Sequence, residues 1–227
     1  MTSDILARLK LLQHGDSFFP SGAIAFSFGL ESLCADQRVR NADDVRVFLF
    51  TQLSLRWATC DRTVIAHVWN VSTNIDEVLQ TDKLVEASTL PRELREGSRR
   101  AGTALLSVHV KLGTKAAAEY SNLQKSGTAN GHLATIQGLL WKNIGLSLQD
   151  TLAVSAHAMC AGILGAAIRL GVIGHLSAQE ILGSVHHALA EILATPPPSL
   201  EMICSYTPMA DIAVMRHETQ SSRLFSN

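Results

Sequence analysis

Nine histidines in a chain of 227 residues raise the question of a metal centre, because imidazole suits nickel, zinc and copper. Spacing is the first test of that idea. No two histidines stand four residues apart, and no H-E-x-x-H occurs. His157 and Cys160 lie three apart, on one face of a helix, and could ligate an ion together. They sit in the most apolar run of the chain without a carboxylate beside them, which favours core packing. His186 and His187 are adjacent and so diverge by about a hundred degrees on a helix. His187 and Glu191 share a face, the pattern of a surface pair. His217, with Cys204 upstream, stays as a candidate for a transient metal site.

Nucleotide and ester chemistry fare no better. There is no G-x-x-x-x-G-K-[ST], and no strand followed by G-x-G-x-x-G. Gly15-Asp16-Ser17 resembles the opening of the GDSL hydrolase motif, in which a serine after a strand attacks an ester and a late D-x-x-H supplies the base. No D-x-x-H occurs here, Asp211 and His217 are six apart, and residues 9–14 read as helix. A GDSL-type serine hydrolase therefore remains only as an alternative, resting on Ser17.

The elements that would have to position any site are helical. The six prolines fall at 20, 91, 196, 197, 198 and 208, which leaves two long tracts free to form helices. Those tracts are filled with Ala, Leu, Gln, Glu, Arg and Met rather than alternating β-branched residues. The pattern predicts an all-α, single-domain bundle of about nine to ten helices. They cover about 4–13, a stretch ending near 35, and 41–70 with Asn41 as N-cap. Others follow at 75–88, 92–112, 114–125, 131–144, 148–171, 177–194 and 208–220. Residues 1–195 form the bundle; 196–227, opened by three prolines, form a terminal segment of the same domain that orders on partner binding. Within 148–171, Ala161/Gly165 and Gly162/Ala166 permit close helix contact; core packing is the simpler use, a dimer contact the sharper one.

Composition narrows the function classes. The net charge is −1 and lysine plus arginine number 19, which excludes broad phosphate-backbone binding. Hydrophobic residues at 47% and charged residues at 17% exclude global disorder. The four cysteines form no C-x-x-C pair, consistent with a reducing compartment. The N-terminus lacks the features of a signal peptide, and the apolar run 152–168 is short for a membrane span. The expectation is a cytoplasmic protein that binds neither nucleic acid nor membrane.

Three blocks then carry a family resemblance. Leu11-Leu12-Gln13-His14-Gly15-Asp16-Ser17-Phe18-Phe19-Pro20-Ser21-Gly22-Ala23, continuing to Phe26-Ser27-Phe28-Gly29-Leu30-Glu31, is similar to the opening signature of the urease accessory protein UreF family. Ala166-Ala167-Ile168-Arg169-Leu170-Gly171, with Gly174 and Gln179, resembles that family's middle segment. Asp211-Ile212-Ala213-Val214-Met215-Arg216-His217-Glu218-Thr219-Gln220, with Ser222-Arg223-Leu224-Phe225, resembles its ending. Residues 70–130 match more loosely. The chain departs from the family at His14, where an apolar residue is usual, and at its Phe225-Ser226-Asn227 terminus.

The resemblance implies an all-α, homodimeric, non-enzymatic chaperone of urease maturation. It implies binding to UreD (UreH), recruitment of the GTPase UreG, docking on apo-urease, and regulation of the GTPase. No cofactor is held permanently; nickel passes through the assembled complex. By position, Arg223 matches the arginine implicated in recruiting UreG, and Arg216, His217 and Glu218 belong to the block whose ordering accompanies UreD binding. Arg169 matches a basic position expected to face UreG. Leu224 and Phe225 add apolar anchors beside those arginines, and Phe18 and Phe19 on their loop can cover a partner surface.

Overall fold

The computed structural model describes residues 2–16, 18–20, 26–218 and 224–225. Among these residues every regular element is a helix. They are α1 (Thr2–Gly15), α2 (Leu30–Ala35), α3 (Ala42–Gln52), a π-helical segment (Leu53–Asp61) and α4 (Arg62–Val71). After them come α5 (Ile75–Ser88), α6 (Arg92–Lys111), α7 (Ala117–Lys125), α8 (Leu133–Asn143), α9 (Leu148–Arg169), α10 (His175–Ala194) and α11 (Pro208–His217). A 3-10 turn at Leu200–Met202 stands between the last two. α3, the π segment and α4 run on without interruption. The expected helix at 41–70 is therefore a single rod, and the fold class is all-α as expected.

Local chemistry explains the boundaries. Asn41 caps α3, its side chain accepting from Asp43 N and Asp44 N at 3.0 Å each. Ser147 caps α9 by accepting from Asp150 N at 3.0 Å. Pro91 is the N-cap of α6, where its missing N–H is no loss. The loop before α8 has no cap of its own. Buried Asp82, from α5, accepts from the N–H groups of Asn130, Gly131 and His132 at 2.6, 2.9 and 3.0 Å.

The core forms where α8 packs against α4 and α6, with Trp57, Trp141 and Tyr120 its largest buried side chains. At Gly138 the α8 backbone approaches α4 so closely that a Cβ would lie 2.7 Å from Ile65 O. α9 is long and apolar enough to cross a membrane by length and composition, but half of it is packed inside this core. Its small residues divide. Ala166 and Ala167 are buried, whereas a Cβ added at Gly165 would meet nothing within 4 Å. The expectation of core packing thus holds at Ala166 and not at Gly165.

The π segment directs the chain's end. Two of its carbonyls also accept from outside the helix. Tyr206 N donates to Leu55 O at 2.9 Å and Cys204 N to Thr59 O at 3.3 Å. Thr59 Oγ1 donates back to Cys204 O at 2.7 Å. The strap after the triple proline is therefore sewn along the rod, and it delivers Pro208 to the start of α11. The Arg62 guanidinium fastens the strap's beginning by donating to Thr195 O.

Candidate functional site

α11 has two apolar faces. Ala210, Ala213, Val214 and His217 point inward and are buried against α2 and α6. Met209, Ile212 and Met215 recur at a spacing of three on the outside, and all three are exposed. The close approach of α11 to α2 depends on Gly29. This residue has φ +85°, and a Cβ there would lie 2.7 Å from Ala210 O.

A carboxylate hub locks the inner face. His217 is fully buried; its Nδ1 lies 2.8 Å from Glu93 Oε2 and its Nε2 3.1 Å from Glu31 Oε2. Glu31 also accepts from Leu224 N at 2.7 Å on Oε1 and from Phe225 N at 3.1 Å on Oε2. One side chain of α2 thus holds both α11 and the residues beyond it. A carboxylate can only accept, so the two contacts of His217 are hydrogen bonds only if each carries a proton, on the ring or on a carboxyl.

Around the hub lie paired charges. The Arg216 guanidinium grips Asp36 at 2.6 and 3.3 Å. Glu218 pairs with Arg92 at 3.6 Å. Phe225 is buried, with the Arg169 guanidinium over its ring at 4.3 Å. Arg169 comes from the middle block of the sequence, Glu31 and Gly29 from the opening block, and α11 with Phe225 from the ending block. The fold brings all three to one place.

The remaining candidates are placed as follows. Leu224 is exposed beside the hub. Phe18 is 92% exposed, while Phe19 is 7% exposed and packs against His14 and His109, ring centroids 4.5 and 6.0 Å away. Only Phe18 is left to meet a partner. Arg223 and Ser17 lie outside the described residues. Cys204 is exposed on the strap beside Cys60, whereas both ring nitrogens of His217 face glutamates. Burial pushes the Cys160 thiol up to about 12, which disfavours the thiolate a metal needs.

Reasoning from residue spacing missed Glu93, Asp36 and the role of Glu31. Glu31 stood inside the opening block, so its block was the available signal. Glu93 lies in the loosely matching middle of the chain and carried no signal.

A small, partly open pocket of about 60 Å3 is lined in part by Phe28, Arg56, Asp61, Ser98, Gln137 and Met159. Arg56 and Asp61 form a partly buried pair at 3.7 Å. Desolvation raises the Asp61 carboxyl above its usual range, against the pull of Arg56.

The site is a helical scaffold whose terminal helix is fastened by a buried histidine between two glutamates and whose outer face is left apolar, with no cluster of metal-ligating groups among the described residues. The UreF family profile matches residues 39–186. The chain is 32% identical over 231 residues to the urease accessory protein UreF of Trichodesmium erythraeum, covering 100% of both chains. It is 31% identical to that of Agrobacterium fabrum, over 98% of this chain and 97% of the other. With that of Corynebacterium glutamicum it shares 27%, over 98% and 99%. The chain belongs to the urease accessory protein UreF family, whose members serve urease maturation as accessory proteins and not as enzymes.

Proposed function

We propose that this protein is a cytoplasmic, homodimeric adaptor for nickel insertion into apo-urease. It binds UreD (UreH) through the outer face of α11 and the residues around the hub, and the pair recruits the GTPase UreG. Nickel is cargo of the assembled complex rather than a resident cofactor. The observation that carries this reading is the convergence of Glu31, Arg169 and α11 on one latch whose outer face is apolar and open. Met209, Ile212, Met215 and Leu224 supply apolar anchors, and Arg216 and Arg169 supply the guanidinium groups that interfaces favour. Ordering of the segment after residue 196 on partner binding is part of the proposal, with Leu224 and Phe225 as its last fastened residues.

The test is a pull-down with UreD and UreG. Ile212→Asp combined with Met215→Asp alters only the outer face, so it should abolish UreD capture without lowering the melting temperature. Arg223→Ala should weaken UreG recruitment and urease activation. Undiminished capture by the outer-face variant would refute α11 as the docking element.

A further inference from the structure

Histidine pairing across two helices offers a site that spacing along one helix cannot reveal. Four of the nine histidines are committed to hydrogen bonds. His14 bonds Lys10 O, His109 bonds Thr114, His132 bonds Ser98 and Glu86, and His217 faces its two glutamates. His157 on α9 and His186 on α10 differ. Their ring centroids lie 6.2 Å apart, with planes inclined by 34°. Among the described residues neither ring has a hydrogen-bond partner. His186 is exposed and His157 half-buried, so water and ions reach the pair.

The geometry suits chelation. With metal–nitrogen bonds of about 2.0–2.1 Å, two imidazoles on one ion hold their ring centres roughly 5 Å apart at a tetrahedral angle and about 6.4 Å apart when opposed. The observed centroid spacing lies within that range. The helices themselves are fixed. α9 and α10 pack against each other as consecutive helices, and Cys160, Ile163, Ile181, Val185 and Leu189 on them are buried. Burial and the neighbouring His186 both lower the proton affinity of His157, which favours the neutral ring that ligates.

We propose that His157 and His186 together form a surface site for one divalent transition-metal ion, with nickel, copper and zinc as the chemical class and water completing the coordination. Two imidazoles without a carboxylate or thiolate make an exchangeable site rather than a structural one. The site stands on the α9–α10 hairpin, apart from the α11 latch, and does not depend on UreD or UreG.

Isothermal titration of the intact protein with NiCl2 and, separately, ZnCl2 tests it. One saturable equivalent is expected. Replacing either ring, His157→Ala or His186→Ala, should weaken it by about tenfold or more, and His187→Ala, on another face, should leave it unchanged. Circular dichroism checks each variant's fold, and His186→Ala on the exposed surface keeps the test valid should His157→Ala disturb packing. Absence of saturable binding, or binding that survives both single replacements, overturns the proposal. So does a site lost equally in His187→Ala.

Discussion

A buried histidine pins each end of this chain, and the two solve the same problem in opposite ways. At the C-terminal end His217 sits between two carboxylates, and both its ring nitrogens are used. At the N-terminal end His14 stacks on His109 at 5.3 Å, under Phe19 and beside Trp141. There each ring uses Nδ1, for Lys10 O and for Thr114 Oγ1, and each Nε2 is buried with no hydrogen-bond partner. One end is held by contacts between a ring and two carboxyl groups, the other by aromatic packing around two neutral rings. The comparison teaches that burial alone does not fix a histidine's role; what faces its second nitrogen does.

The largest expected effect follows from removing the charged lock. His217→Ala takes the shared partner from buried Glu93 and half-buried Glu31, and removing one member of a buried pair costs about 3–5 kcal/mol. Thermal denaturation should register it, and adding Glu93→Gln should restore part of the loss. If His217→Ala melted like the parent protein, the latch would be decorative.

Acid should act at the other end. Burial, and the neighbouring His14, hold His109 down to about 4, and burial lowers His14 as well. The unfolded chain takes up these protons near the ordinary value of about 6.5, the folded chain only at lower pH. Stability from the neutral pair is therefore fully present above about pH 6.5 and lost as pH falls toward about 4. At its full extent the loss from His109 is on the order of 3 kcal/mol. Hydrogen-exchange protection factors in α1, taken against the intrinsic rate at each pH, should fall over that interval, and His14→Leu should flatten the dependence. Equal protection of α1 at pH 7 and pH 5 would remove the distinction between the two ends.

Smaller effects grade the latch itself. Gly29→Ala combines a left-handed backbone with a clash at Ala210 O, so it should cost about 2 kcal/mol and expose α11 to proteolysis. Arg216→Ala breaks a pair that is largely exposed, so urea unfolding should change by less than about 1 kcal/mol. A larger change would mean that Arg216 supports the fold rather than presenting a surface.

The helices were legible in the sequence because proline, capping residues and composition act locally. Asn41, Pro91 and the triple proline set boundaries that the structure reproduces to within a few residues. The terminal block was legible as a block, but its locking partners were not, since Glu31 and Glu93 lie 186 and 124 residues from His217. Phe18 and Phe19 were indistinguishable as neighbours; the turn that donates Phe18 N to Asp16 Oδ1 sends one ring out and the other in. The π segment left no trace in residue types, because what it provides to the strap is backbone carbonyl acceptors.

Capture of UreD by the Ile212→Asp, Met215→Asp protein, measured beside its melting temperature, tests the central claim most directly. The latch account predicts an unchanged melting temperature with capture lost. Full-strength capture by the stably folded variant would contradict it.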